Sequence, residues 1–281
     1  NLMRYSDCCY AQNLKEFVLD YHIHSNYSPD AADTMEDIVT TAIRKGISEI
    51  AFTDHIEFFT CQYADMVPVL EKQYPEFLAL KERYSGRIEL RYGIEVAQQL
   101  VDIEETKAVC ALLPFDFILF TLHRPLGGED YYDVDFKKVD IDYECGRYLS
   151  EIETIVDTFD CFSVFGHIDF LSRYMKNAGI NDSFDRFKYS FEPIFRKLIQ
   201  KGKGIEVNTS GFRTPFDYTM PSKEILEIYF ELGGEILTIG TDSHKKEHIG
   251  EGFSKAIQLI RQIGFTKVAK FDKMEVELIE I

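Results

Sequence analysis

The stretch Tyr21–Asp30, YHIHSNYSPD, follows a largely apolar run and contains two histidines two positions apart. If the run forms a strand, His22 and His24 point to the same side, because strand side chains alternate with a period of two. Pro29 and the Ser and Asn residues around it disfavour regular structure, so Asp30 is predicted to lie in the following loop. Two imidazole groups on one face at the end of a strand supply half of a metal site.

Strand-like and helix-like patterns alternate along the rest of the chain. Apolar runs predict strands at 17–21, 49–53, 88–94, 115–122, 161–165, 204–207 and 235–239. Helical periodicity predicts helices at about 34–46, 66–84, 103–112, 143–158, 184–200, 221–233 and 252–262. Thr34 is the expected N-cap of the first helix, Pro75 is expected to interrupt the second, and an apolar segment near Val268 is a candidate eighth strand.

This dense alternation predicts a parallel sheet. The 281 residues show no linker and no break in composition, which favours one closed or nearly closed barrel. A doubly wound open sheet is the alternative. The whole chain, 1–281, is expected to form a single domain, with 1–14 assigned no role because they can be flanking residues.

Composition narrows the class of protein and its partners. The formal net charge of −17 argues against binding to nucleic acid, which requires a basic surface, but it leaves room for an anionic substrate in a metal-charged pocket. Six cysteines without a C-x-x-C pair predict reduced thiols in an intracellular, cytoplasmic protein. No apolar run approaches the roughly 20 residues of a membrane span, so no membrane partner is expected. The oligomeric state does not follow from the sequence.

Potential metal ligands recur where the predicted strands end. In a parallel barrel all these ends open onto one face, and barrel enzymes place their chemistry there. Six of the seven histidines occupy such positions, and two carboxylates do so as well. The candidate ligands are His22, His24, His55, Glu95, His123, His167, Asp242 and His244, with Asp30 as a ninth.

Imidazole and carboxylate ligands without thiolates suit Zn, Mn or Fe. Nine ligands are too many for one ion, whereas three ions use all nine if a carboxylate bridges. Such multi-metal sites activate water near neutral pH and bind the attacking and leaving oxygens of a displacement at phosphorus. Motifs of other enzyme classes do not occur, because the sequence has no G-x-S-x-G elbow, P-loop or Rossmann glycine pattern.

Three arginines on the same predicted face favour a phosphate substrate over an amide. Arg124 follows His123 directly, Arg173 lies six residues after His167, and Arg213 lies five residues after Asn208. Planar guanidinium groups bind phosphate oxygens in a bidentate manner. Arg173 ranks first among the three, and Asn208 joins them as a candidate substrate-binding residue.

The order of the motifs resembles the PHP (polymerase and histidinol phosphatase) superfamily over nearly the whole chain from Asp20 to about Gly252. The matching segments are H-x-H at 22–24 with Asp30 after it, TDH at 53–55, GIEV at 93–96, LHR at 122–124, GHID at 166–169, EVNTSG at 206–211 and GTDSH at 240–244. The length, with no polymerase region, resembles the stand-alone histidinol-phosphatase branch.

The resemblance implies a distorted (β/α)7 barrel with three divalent metal ions. The first ion would be held by His22, His24, Glu95 and Asp242. Glu95 would bridge to a second ion that His123 and His167 complete, and Asp30, His55 and His244 would hold the third. Some relatives have histidine where this chain has Asp30, which can change the metal preference or weaken the third site.

The implied reaction is hydrolysis of L-histidinol phosphate, a step of histidine biosynthesis. In it, Arg173 would neutralise charge on the phosphoryl oxygens, and Asp242 or the nearby His244 would relay the proton to the leaving alkoxide. The amine and imidazole of the substrate need acidic or aromatic partners, for which Glu57, Phe58 and Tyr131 are candidates on the same face.

Other interpretations remain open on the sequence alone. A PHP-type phosphodiesterase or nuclease uses the same metals, although the negative charge disfavours it. A phosphatase for another small phosphomonoester fits the same residues. An amidohydrolase-type barrel also has H-x-H on its first strand, but it usually bridges its metals through a carboxylated lysine. A non-enzymatic scaffold would require a damaged ligand set, and none is seen.

Overall fold

The computed structural model describes residues 17–58, 63–180 and 184–281. The proposed flanking residues 1–14 lie outside these ranges. Seven parallel strands form one sheet in the order of the chain. They are β1 (Leu19–Ile23), β2 (Glu49–Glu57), β3 (Glu89–Ala97), β4 (Phe117–Thr121), β5 (Val164–Phe165), β6 (Gly204–Asn208) and β7 (Leu237–Gly240).

The first and last strands of the sheet meet just beyond their C-terminal ends. The backbone N–H of His24 donates to the carbonyl oxygen of Ser243 at 2.9 Å, and the N–H of Ser243 donates to that of His22 at 3.2 Å. Ile23 and Ser243 form a parallel bridge. The sheet is therefore nearly closed, and the predicted seven-stranded barrel is confirmed.

Helices cover the outside of the barrel. They are α1 (Met35–Arg44), α2 (Tyr63–Arg83), α3 (Ile103–Cys110), α4 (Ile141–Thr158), α5 (Leu171–Asn177), α6 (Glu192–Gln200), α7 (Lys223–Glu231) and α8 (Phe253–Ile263). Short 3-10 segments cover Gln99–Val101, Phe184–Phe191, Ser210–Arg213 and Lys246–His248. The predicted N-cap is confirmed, because the Thr34 hydroxyl accepts from the N–H of Asp37 at 3.1 Å.

Two local predictions were wrong. Pro75 does not interrupt α2, which runs through both Pro68 and Pro75. A proline removes only one N–H donor, and the buried side chains of Met66, Leu70 and Phe77 keep the helix packed on the barrel across both positions. The helix expected to open at Pro221 begins two residues later, at Lys223.

The candidate eighth strand near Val268 is a strand, but it does not join the barrel. It is β8 (Lys267–Asp272), which pairs antiparallel with β9 (Glu275–Glu280) in a separate sheet. The N–H of Phe271 donates to the hydroxyl of Tyr21 at 2.8 Å, and its ring lies 5.2 Å from that of Phe117. The hairpin therefore packs against the end of the barrel where the strands begin, and it leaves the opposite end open.

The barrel strands are almost entirely buried. Every residue of β1, β4, β6 and β7 is buried, as expected for parallel strands covered on both faces. The largest buried side chains are aromatic, among them Tyr21, Phe52, Tyr92, Phe117, Phe120 and Phe165. No helix in the described parts of the chain has the length and apolar character needed to cross a bilayer.

Candidate metal centre

Glu95, near the end of β3, lies at the centre of the open face of the barrel. Its Oε1 lies 3.2 Å from His123 Nε2 and 3.3 Å from His167 Nε2. Its Oε2 lies 2.8 Å from His55 Nδ1, 3.4 Å from His22 Nε2 and 3.5 Å from His24 Nε2. Each oxygen of one carboxylate therefore faces a different group of histidines.

Asp242, two residues after β7, faces the first pair of histidines. Its Oδ1 lies 3.5 Å from His24 Nε2, 3.7 Å from His22 Nε2 and 3.6 Å from His244 Nδ1. The backbone of Asp242 has a φ of 52°, and that of His167 has a φ of 24°. Both residues thus occupy the left-handed region, which is unfavourable for residues other than glycine. Such backbone conformations are typical of functional sites, where the surrounding structure maintains them.

Asp30 joins a third, more exposed part of the cluster. Its Oδ2 lies 3.0 Å from His244 Nε2 and 3.5 Å from His55 Nε2. The Asp30 side chain is 53 % exposed, whereas those of Glu95 and Asp242 are 1 % and 10 % exposed. The structure brings all nine predicted ligands together, and the group of Asp30, His55 and His244 lies nearest to solvent.

Unpartnered polar atoms test whether these residues fit a metal. Buried atoms without a hydrogen-bond partner include His22 Nε2, His24 Nε2 and His167 Nδ1. Burying such atoms without a partner costs about 1–3 kcal/mol each. Among the described residues, four groups of three such side chains place their donor atoms within 4.8 Å of one another. The residues fit a centre for divalent cations.

The charges of the cluster are consistent with a cation site. Burial opposes ionisation of Glu95 and Asp242, but the surrounding histidines outweigh it and hold the pKa of both carboxyls well below the usual range. Burial also opposes a charged His22, yet Glu206, Glu95 and Asp242 raise its pKa well above the usual value. For His24, burial and the neighbouring His55 lower the pKa to about 3. The buried carboxylates therefore stabilise a positive charge at the centre of the cluster.

Two of the three predicted arginines lie beside Asp242. Arg173 in α5 places Nη2 3.5 Å from Asp242 Oδ2 and donates to Ser210 Oγ at 2.5 Å. Arg213 donates from Nη2 to the carbonyl oxygens of Thr241 and Asp242 at 2.8 and 3.2 Å, while its buried Nη1 has no partner. Arg124 instead donates from Nε to the carbonyl oxygen of Gly128, within its own loop.

The remaining predicted substrate contacts have internal partners in this structure. Asn208 is fully buried and donates to Glu206 Oε2 at 3.2 Å. Glu57 Oε1 lies 2.8 Å from His123 Nδ1, which orients that imidazole. Phe58 and Tyr131 belong to the hydrophobic core. Their assignment to substrate binding stays a prediction, and the observed contacts favour positioning and packing.

Sequence reasoning gave no role to several residues behind the ligands. Glu206 contacts His22 and the backbone of His167, and Asp54 accepts from the hydroxyl of Ser28, which in turn contacts His24 Nδ1. A signal was present for Glu206, because a glutamate interrupts the apolar strand GIEVN. For Ser28 the sequence offers no such signal.

Histidines at the strand ends of a parallel barrel, grouped around one shared carboxylate, are typical of metal-dependent hydrolases. The family model for the PHP domain matches residues 20–210. A histidinol-phosphatase from Lactococcus lactis is 31 % identical over 92 % of this chain and 96 % of its own length. A probable histidinol-phosphatase from Thermotoga maritima is 27 % identical over 90 % of this chain and 95 % of its own.

A solved structure agrees with these relatives. The histidinol phosphate phosphatase of Lactococcus lactis, complexed with zinc, L-histidinol and phosphate, matches with a TM-score of 0.80 and 27 % identity, covering 92 % of this chain and 98 % of its own. The chain therefore belongs to the PHP family, in its histidinol-phosphatase branch, and is a metal-dependent phosphoric monoester hydrolase.

Proposed function

We propose that this protein hydrolyses L-histidinol phosphate to L-histidinol and phosphate, the reaction that its relatives' names describe, and thereby serves histidine biosynthesis. The observation that carries the proposal is the position of two guanidinium groups beside a cluster of imidazoles and carboxylates. Arg173 and Arg213 both contact Asp242, and Asp242 faces His22 and His24. Such a site suits a dianionic phosphate group.

The proposed centre would hold three divalent ions of Zn, Mn or Fe. His22, His24, Glu95 and Asp242 are assigned to the first, and Glu95, His123 and His167 to the second. Asp30, His55 and His244 are assigned to the third. When bound, such ions supply positive charge for the phosphoryl group and lower the pKa of coordinated water.

The side chains of the chain itself supply binding and proton transfer. Arg173 and the unpartnered Nη1 of Arg213 bind phosphoryl oxygens and stabilise the charge that grows there during the displacement. The His244 side chain is 30 % exposed. Burial lowers its pKa, but the carboxylates of Asp30 and Asp242 outweigh this effect, so the pKa is raised above the usual value. Asp242 or His244 would relay a proton to the alkoxide of the departing histidinol, and His244 would do so as an imidazolium only while it is not bound to the third ion, because a metal-bound imidazole carries no second proton.

Phosphate release from metal-loaded protein tests the substrate. We expect kcat/KM for L-histidinol phosphate to exceed that for p-nitrophenyl phosphate and for a phosphodiester by about a thousandfold, or about 4 kcal/mol. Removing the metal with a chelator abolishes release, and adding back Zn or Mn restores it. Equal slow rates on all monoesters would refute the assigned substrate, and preference for the diester would indicate a nuclease.

Metal binding to the stripped protein is expected to strengthen as the pH rises. Burial disfavours a charged His123, but Glu95 and Glu57 outweigh it and raise its pKa to about 9. An imidazolium must lose its proton before it binds a metal, so metal and protons compete. Zinc affinity measured by chelator competition should therefore increase from pH 6 to pH 8, with release of protons to the buffer. An affinity independent of pH in this range would contradict the assignment of His123.

A further inference from the structure

Glu206 is a buried carboxylate that contacts two proposed ligands on different strands. It lies in the middle of β6 and is 1 % exposed. Its Oε1 lies 2.7 Å from His22 Nδ1, and its Oε2 accepts from the backbone N–H of His167 at 2.9 Å. One side chain thus connects the histidine at the end of β1 with the histidine that follows β5.

Glycines on both neighbouring strands make room for this carboxylate. Gly240 ends β7, and a Cβ atom there would overlap with the Glu206 carboxylate and with the Cβ of His22. Gly166 follows β5, and a Cβ there would lie 3.1 Å from Glu206 Oε2 and 2.9 Å from Thr121 Cγ2. Any larger residue at either position would push the carboxylate away from His22 or His167. The absence of a side chain at both glycines therefore leaves space for the Glu206 carboxylate between the two strands.

Glu206 contacts the imidazole of His22 and the backbone of His167, so it acts on the two histidines in different ways. Asn208 Nδ2 also donates to Glu206, at 3.2 Å, so the carboxylate acts as an acceptor for its neighbours. With Nδ1 donating to Glu206, His22 presents Nε2 to Glu95 and Asp242 at 3.4 and 3.7 Å. The neutral form of the ring, which is the form that binds a metal, then carries its lone pair on Nε2. The bond to the N–H of His167 holds a backbone whose φ is 24°.

We infer that Glu206 is a positioning residue that sets the metal affinity of His22 and His167. The inference rests on the proposed function, since it takes both histidines as metal ligands. Carboxylates hydrogen-bonded to a ligating histidine raise its basicity and fix its orientation, and their loss typically costs 10–100-fold in metal affinity. His24 is oriented differently, through the Ser28 hydroxyl at 3.1 Å, so it keeps its orientation when Glu206 is changed.

The test compares Glu206→Gln with Glu49→Gln. Glu49 is a matched control because it is also a fully buried strand glutamate, but it contacts Tyr21 and Arg91 at the opposite end of the barrel. Zinc affinity of the stripped proteins is measured by chelator competition, and the free energy of unfolding is measured in urea. We expect Glu206→Gln to weaken the tightest zinc binding 10–100-fold, whereas Glu49→Gln changes stability without changing zinc affinity.

A second variant, Glu206→Asp, tests whether the position of the carboxylate matters as well as its charge. It also provides a measurement if Glu206→Gln does not fold. It keeps the carboxylate but shortens its reach to His22, so it is also expected to weaken zinc binding. Nitrogen chemical shifts of the His22 ring report directly whether the proton stays on Nδ1. Unchanged zinc affinity in both Glu206 variants, or wild-type affinity in Glu206→Asp alone, would overturn the inference. Failure of the wild-type protein to bind zinc would instead refute the proposed function.

Discussion

Glu95→Gln is expected to lower kcat/KM for phosphomonoester hydrolysis by at least about a thousandfold, which corresponds to about 4 kcal/mol. The side chain keeps its shape but loses its negative charge and one of its two acceptor oxygens. Because Glu95 is the one residue whose oxygens face both the His55–His22–His24 side and the His123–His167 side of the described cluster, the change acts on two proposed ions at once.

The measurement pairs steady-state kinetics with the metal content of the purified protein. We expect Glu95→Gln to retain fewer metal ions than the wild type, as well as to lose activity. Glu89→Gln is the control, since Glu89 begins the same strand at the opposite end of the barrel and is exposed. A Glu95→Gln protein with normal metal content and normal rate would rule out the proposed bridging role.

Arg173→Met is expected to lower kcat/KM by about a hundredfold to a thousandfold, the range observed when one donor to a developing charge is removed. Arg173 lies beside Asp242. Burial alone would disfavour the charge of Arg173, but the Asp242 carboxylate outweighs this effect and raises the pKa of Arg173, so the guanidinium stays positive. Methionine keeps much of the side-chain volume packed over Phe170, whose ring centre lies 5.3 Å from the guanidinium carbon, and removes the donors together with the positive charge.

Metal content separates this role from that of the ligands. We expect Arg173→Met to bind metal as the wild type does, and Arg173→Lys to recover only part of the activity because an ammonium cannot bind in a bidentate manner. Arg196→Met is the control, since Arg196 is an exposed residue of α6 that pairs with Glu192. Activity within about twofold of wild type in Arg173→Met would remove this residue from the phosphate site.

The sequence was most informative where a rule of topology applied. All strands of a parallel barrel end on one face, so the histidines and carboxylates at the ends of predicted strands could be placed near one another without any coordinates. His22 and His123 are far apart in the sequence, yet both contact Glu95. The rule does not say which ligand lies in the middle.

Local rules failed where packing between distant segments decided the outcome. Pro75 predicts a break in α2, but burial of the inner face of the helix against the barrel keeps it continuous. The apolar run near Val268 predicts a strand, but its pairing with β9 and its contacts with Tyr21 and Phe117 place it outside the barrel. A strand pattern specifies which face is buried and does not specify the partner.

By itself, the sequence determined the alternation of strands and helices and the position of eight candidate ligands at strand ends, because these depend on periodicity and on strand direction. The count of seven barrel strands was implied by the resemblance of the motifs to the PHP superfamily. The resemblance implied a bridging role for Glu95, and the tertiary structure added which histidines each of its two oxygens faces. Only the tertiary structure decided that Glu206 reaches His22 past two glycines. Hydrogen bonds depend on distances of tenths of an ångström between side chains remote in sequence, and no local pattern encodes such distances.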